Sequence, residues 1–76
     1  MSKEPLTEEQ VIEGVQEVLD RYKRNGYLNQ SSIVYRFNSI NAKCSQNQIS
    51  DALEFLLEKG EVNKRKIAGE YRYRSV

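Results

Sequence analysis

The chain has 76 residues, of which 38% are apolar and 30% charged, with a net charge of +1; this length and composition describe one ordinary globular domain rather than a disordered chain. No apolar run approaches the roughly 20 residues that a membrane span requires, and the N-terminal residues lack the apolar stretch of a signal peptide. We therefore expect a single domain in the cytoplasm, with no membrane partner.

Residues suited to catalysis or metal binding are few. The sequence has no histidine and one cysteine, Cys44, so it lacks the commonest general base and cannot form a zinc site or an internal disulfide. Its four glycines lie far apart, unlike those of the usual phosphate-binding loops. We expect no enzyme activity, cofactor, metal or small-molecule ligand. Cys44 is either a small half-buried residue or, with a lowered thiol pKa, a redox-sensitive or intermolecular thiol.

Charge is distributed unevenly along the chain. Residues 1–20 carry one basic and six acidic side chains, residues 21–58 five and three, and residues 59–76 six and two, so the net charges are −5, +2 and +4. This asymmetry predicts an acidic back and a basic front, as in a protein that faces a polyanion. A solvated charged surface is the alternative interpretation.

The first predicted helix spans residues 7–25 and follows a flexible N-terminal segment, residues 1–6. Thr7 and Gln10 have the spacing of a capping box, in which each side chain bonds the other residue's backbone amide. Gly26 supplies the residue that commonly ends a helix. The apolar positions that recur at helical spacing behind the cap are Val11, Val15, Val18 and Tyr22.

Two further helices are predicted over residues 31–41 and 45–59. Ser45 and Gln48 form a second capping box at the start of the third helix, and Gly60 ends it. The residues expected to face the core are Ile33, Phe37 and Ile40 from the second helix and Ile49, Ala52, Leu53 and Leu56 from the third.

A β-hairpin is predicted over residues 61–75. The period of the pattern changes after the third helix, because aromatic and basic residues alternate from Tyr71 to Arg74. Gly69 supplies the glycine that a tight turn needs. In this alternation Tyr71 and Tyr73 share a face, and we expect both to face the core or the first helix rather than to stack on bases.

Two hairpin registers fit the sequence, and both place like charges opposite one another. A two-residue loop sets Arg65 against Arg72. A three-residue loop instead sets Lys66 against Arg72 and Lys64 against Arg74. Directly opposed like charges destabilise a strand pair, and a phosphate backbone would relieve the repulsion.

The order of elements, and the local sequence from Ser45 to Val62, resemble the winged helix-turn-helix family. This stretch has a small polar start, an Ile-x-x-Ala-Leu-x-x-Leu core pattern and a Lys-Gly-x-Val exit. The resemblance covers residues 7–76 and implies a mostly helical α+β fold, with three helices followed by a two-stranded hairpin, the wing. Winged helices also serve as protein-docking modules, so the fold alone does not decide the function.

The resemblance implies that the third helix is a recognition helix for double-stranded DNA, with its outer face in the major groove. Glutamine and asparagine can each make paired hydrogen bonds to an adenine edge. The alternative is that these polar residues are present because they favour a helix N-terminus. The candidate recognition residues are Ser45, Gln46, Asn47, Ser50 and Glu54.

The same resemblance implies that the wing and its neighbours grip the phosphate backbone. Exposed basic residues on a hairpin also prevent edge-to-edge aggregation, which is the alternative role. The candidate backbone contacts are Arg36, Lys43, Lys64, Arg65, Lys66, Arg72 and Arg74.

The sequence is compatible with two functions. The first is a small transcription or replication regulator that binds duplex DNA as a monomer or a homodimer, in the cytoplasm or, for a viral or plasmid gene, in the host cytoplasm. Asp51, Glu54 and Glu58 count against it because acids near phosphates are repulsive. The second is a protein-interaction module with weak or no DNA binding. Its motivation is four surplus apolar residues that can form an exposed patch, Tyr27, Tyr35, Phe55 and Leu57.

Overall fold

A computed structural model of the chain describes residues 6–40 and 44–76. It contains the three predicted helices and the predicted hairpin, together with one short strand and a 3-10 helix that the sequence pattern did not predict. In chain order the elements are α1 (Glu8–Arg21), the 3-10 helix (Lys23–Asn25), β1 (Leu28–Asn29), α2 (Gln30–Ile40), α3 (Gln46–Glu58), β2 (Val62–Ile67) and β3 (Glu70–Ser75). None of the described helices is both long and apolar enough to cross a membrane.

Both predicted capping boxes are confirmed. The Gln10 amide donates to the Thr7 hydroxyl at 3.2 Å and the Thr7 amide donates to the Gln10 side chain at 2.9 Å. Ser45 and Gln48 make the same pair of bonds at the start of α3. These side chains satisfy amides that have no partner within the helix, and they fix where α1 and α3 begin.

The α-helical part of the first helix is shorter than predicted. It ends at Arg21, Tyr22 leaves the helical conformation, and residues 23–25 tighten into the 3-10 turn, a common way for an α-helix to end. Of the predicted flexible segment, residues 1–5 lie outside the described part of the chain, and Leu6 packs against the core.

The strands form an antiparallel sheet in the order β1-β3-β2, so β3 is central. Ala68 and Gly69 join β2 to β3 with φ of 53° and 80°, the positive values that a two-residue type I′ turn requires. Arg65 therefore lies opposite Arg72, which selects the first of the two registers. The Ser75 hydroxyl bonds the Asp20 carboxylate and ties the end of β3 to α1.

One core joins the three helices to the inner face of the sheet. Its fully buried side chains are Val15, Val18, Leu19, Ile33, Phe37, Ile49, Leu53 and Leu56, and Val62 and Tyr73 cover it from the sheet. Two predictions of burial were wrong. Ile40, the last residue of α2, is 42% exposed, because it lies at the edge of the core. Tyr71 is 51% exposed although Tyr73 is buried, because it lies nearer the tip of the hairpin.

Cys44 lies within the core cluster, just before α3. Its backbone amide donates to the Asn38 side-chain oxygen at 3.0 Å. Burial raises the pKa of the Cys44 thiol, which disfavours the thiolate that redox chemistry needs. The structure thus supports the structural role and counts against the reactive one.

Gly14 of α1 packs against Phe37 of α2. A β-carbon at this position would clash with Phe37 Cε2 and lie 3.1 Å from Phe37 Cζ. Phe37 has no exposed surface, so its ring has no solvent into which to move. Gly14 therefore allows the largest fully buried side chain to pack directly against the α1 backbone.

We expect Gly14→Ala to destabilise the protein, although alanine favours a helix over glycine by about 1 kcal/mol. Overpacking a core typically costs about 1–3 kcal/mol, and this cost should outweigh the gain in helix propensity. Urea denaturation followed by circular dichroism measures the free energy of unfolding. Glu13→Ala, at the exposed neighbouring position, is the control. A Gly14→Ala protein more stable than the native one would contradict this packing.

Candidate nucleic-acid interface

The first turn of α3 presents uncharged polar side chains. Gln46 and Asn47 are exposed and Ser50 is half-buried. Ser45 is occupied as the N-cap, since its hydroxyl accepts from the Gln48 amide at 3.2 Å. The positive end of the helix dipole adds to the attraction of this turn for anions.

Beyond its first turn, the outer face of α3 is acidic. Asp51, Glu54 and Glu58 are all exposed, and their spacing of three, four and seven residues places them on one side of the helix. The predicted recognition residue Glu54 therefore lies within an acidic row rather than among the polar residues of the first turn. Only the beginning of α3 is suited to a polyanion.

Residues at the start of α2 form hydrogen bonds both to the start of α3 and to the wing. Gln30 donates through its side-chain amide to the Gln46 carbonyl at 3.3 Å. Asn29 accepts from the Ser32 amide at 2.8 Å, which caps α2, and donates to the Glu70 carboxylate at 2.6 Å. The first turn of α3, the first turn of α2 and the tip of the hairpin therefore lie at the same end of the molecule.

Lys64 and Lys66 flank the exposed ring of Tyr71 on one face of the wing. Their ammonium nitrogens lie 4.2 and 5.7 Å from the ring centroid, close enough for cation–π attraction. Asn63 to Lys66 are all exposed. Within the described ranges, neither lysine forms a salt bridge, so both charges are available to an external anion.

The arginines of the wing occupy the opposite face and are partly engaged inside the protein. Arg65 lies over the Tyr27 ring at 5.1 Å. Arg72 is half-buried and lies 3.7 Å from the Glu70 carboxylate, and Arg74 donates to the Lys23 carbonyl at 3.2 Å. Arg74 therefore ties β3 to the 3-10 helix, the ion pair of Arg72 lies within β3, and Arg65 is exposed.

The two remaining candidate phosphate contacts are Arg36 and Lys43. Within the described residues, no contact joins Arg36 to the basic residues of the wing. The Arg36 guanidinium lies over the ring of Tyr22 at the end of α1, at 4.1 Å. Lys43 falls outside the described part of the chain. Their predicted contacts with phosphate therefore stay predictions.

An open groove beside Gln46 contains residues that the sequence did not single out as DNA contacts. Its volume is about 470 Å³, and Ser31, Tyr35 and Asn38 of α2 line it together with Gln46. Tyr35 is 77% exposed. Composition could have pointed to α2 as a surface suited to a polyanion, because this helix carries no acidic residue although the chain has 11.

The contact between Asn29 and Glu70 provides a test of how the wing is held. Asn29→Asp keeps the acceptor that caps α2 but replaces the donor with a second carboxylate facing Glu70. We expect a loss of about 1 kcal/mol in the free energy of unfolding and faster amide hydrogen exchange in β3. The double variant Asn29→Asp, Glu70→Gln should recover most of the lost free energy of unfolding, because the two carboxylates no longer face each other. An equal loss with and without Glu70→Gln would contradict the contact.

Comparison with known proteins bears on the fold. The chain is similar to the crystal structure of SSV1 F-93, with a TM-score of 0.68 and 20% sequence identity over 99% of this chain and 77% of that one. No protein-family model matches the chain, and no curated protein matches it in sequence. A likeness at this level of identity concerns the fold alone. Together with the elements above, it shows that the chain has a winged helix-turn-helix fold.

Proposed function

We propose that this protein binds double-stranded DNA and acts as a small transcriptional regulator. The observation that carries the proposal is the clustering of exposed cations on the wing, Lys64 to Lys66, at the end of the molecule where α3 begins. Within the described residues these cations form no ion pair, which favours a polyanionic ligand, because phosphate contacts release the counterions condensed on DNA. In this arrangement the wing grips the backbone and the first turn of α3 enters the major groove.

Like-charge repulsion within the wing supports a phosphate ligand. Arg65 and Arg72 are direct cross-strand partners, an arrangement that destabilises an isolated strand pair. Glu70 offsets the charge of Arg72 at 3.7 Å, whereas within the described residues Arg65 forms no ion pair. A phosphate beside Arg65 would offset the remaining repulsion. A bound anion would therefore stabilise the wing more than it would stabilise cations that do not repel one another.

The acidic row of α3 limits how the protein reads DNA. Gln46 and Asn47 can each bond an adenine edge, with about 1–3 kcal/mol of discrimination for a good paired contact. Asp51, one turn further along, would meet phosphates if the whole helix lay along the groove. The helix therefore enters by its N-terminal end, with Ser31 and Tyr35 of α2 near the adjoining strand.

A monomer with so few base contacts should discriminate weakly between sequences. Two copies on adjacent half-sites would combine their contacts, since a symmetric dimer matches the spacing of one turn of duplex. A homodimer on DNA is therefore part of this proposal.

The second candidate function is protein interaction with little DNA binding. Two exposed aromatic side chains favour it, Tyr35 at 77% and Phe55 at 40% exposure. Leu57 and Tyr27 no longer do, because Leu57 packs against the core and Tyr27 is half-buried beneath Arg65. Titration of random duplex DNA at about 50 mM salt separates the two functions, since non-specific electrostatic binding is strong at low salt.

The triple variant Lys64→Ala, Arg65→Ala, Lys66→Ala tests the wing. We expect weaker binding to every duplex, and a slope of log affinity against log salt that is smaller in magnitude by about 2 to 3, because each lost phosphate contact reduces it by about 0.9. Fluorescence anisotropy at several salt concentrations measures both. The control, Arg21→Ala, Arg24→Ala, Lys59→Ala, removes the same charge elsewhere. Equal slopes for the two variants would exclude the wing as the phosphate contact.

Gln46→Ala and Asn47→Ala test sequence reading. A preferred site is first selected from a random duplex pool with the native protein. We expect each variant to lose about 1–3 kcal/mol of discrimination between that site and a mismatched one. Affinity for random duplex should change little, because neither residue is charged. Unaltered discrimination in the double variant would show that α3 does not read bases through these side chains.

A further inference from the structure

A second concave surface lies between α1 and α3. It is a cleft of about 240 Å³. Ile12 on α1 and Phe55 on α3 form its apolar walls, and the buried residues Val11 and Ala52 form its floor. Phe55 is 40% exposed, which is unusual because phenylalanine side chains are most often buried.

Carboxylates surround this cleft. Glu8 and Asp51 belong to its lining. Asp51 precedes Phe55 by four residues and Glu58 follows it by three, so both acids neighbour the ring along the helix surface. Across the cleft, α1 lies in the segment of the chain with a net charge of −5. The cleft is thus an apolar recess with an acidic rim.

The face of the Phe55 ring already accepts a cation. The Lys59 ammonium lies 4.9 Å from the ring centroid, within the range of cation–π attraction. Lys59 is exposed and its flexible side chain can be displaced. A partner cation in the same position would also face Asp51 and Glu58, which increases the attraction.

We propose that this cleft binds a segment of a partner protein in which an apolar side chain is flanked by lysine or arginine. The apolar side chain enters between Ile12 and Phe55, and the basic side chains meet Glu8 and Asp51. The acidic rim excludes DNA by repulsion. It also disfavours a symmetric dimer through this face, because a two-fold axis would bring the same carboxylates together.

The proposed protein site is separate from the proposed DNA site. Phe55 and Gln48 lie on the side of α3 that faces α1, whereas Gln46 lies beside α2. The two ligands therefore contact different sides of one helix. We expect the protein to bind duplex DNA and a basic protein segment at the same time. The cleft should bind its segment whether or not DNA is bound.

Selection from a displayed library of random peptides against the native protein tests the proposal. We expect enriched peptides to share an apolar residue next to lysine or arginine. A synthetic copy of an enriched peptide should bind at least about tenfold more weakly to Phe55→Ser, the loss expected when a buried apolar anchor is removed. It should also bind more weakly to the charge-reversed Asp51→Lys. Ile40→Ser, which removes an apolar side chain of similar exposure from the end of α2, is the matched control and should bind as the native protein does.

Several outcomes would overturn the proposal. They are the absence of enrichment, enrichment of acidic or uncharged sequences, and binding unaffected by Phe55→Ser in a variant whose circular dichroism spectrum is native. Self-association in sedimentation that Phe55→Ser abolishes would identify a second copy of the chain as the occupant instead. Loss of duplex DNA affinity in natively folded Phe55→Ser would also overturn it, because the cleft would then belong to the DNA site.

Discussion

The contact of Phe37 with the backbone of α1 at Gly14 is the constraint on which the rest of the structure depends. The ring is fully buried and packs against the α1 backbone only because Gly14 has no β-carbon. This contact sets the distance between α1 and α2. Once α2 is placed, Gln30 and Asn29 at its start hold the first turn of α3 and the tip of the wing. A packing interaction inside the core thereby determines the geometry of a surface far from it.

Local chemistry explains why most element boundaries could be predicted from sequence. The hydroxyl and amide of each capping box act over three residues, so Thr7 and Ser45 mark helix starts without reference to the rest of the fold. The pairing of Leu28 with Tyr73 depends instead on residues 45 positions apart. Nothing near Leu28 has the length or alternation of a strand. The exposure of Ile40 and Tyr71 has the same origin, because periodicity identifies a face but not where the opposing surface ends.

The candidate site was predictable in its composition and less so in its geometry. Lys64, Arg65 and Lys66 are exposed, as a run of charge on a hairpin suggests. Arg72 and Arg74 have the same residue type and the same alternation, yet both are half-buried, with Arg72 beside Glu70 of its own strand and Arg74 bonded to the Lys23 carbonyl. Their burial agrees with the central position of β3, which depends on β1, a strand that the sequence did not reveal. The bond between Asn29 and Glu70 could be identified only once the register of the sheet was known.

The two charged surfaces have different consequences for association. The exposed cations of the wing and the carboxylates at the cleft between α1 and α3 make the surface charge strongly uneven, although the net charge is only +1. If the protein binds DNA as proposed, the field of the polyanion would turn the wing toward the duplex and the acidic cleft away from it before contact. The acidic cleft is then left facing solvent. Because the same field attracts the wing and repels the cleft, the acids of α1 and α3 would then contribute to orientation on DNA while remaining available to the proposed basic partner.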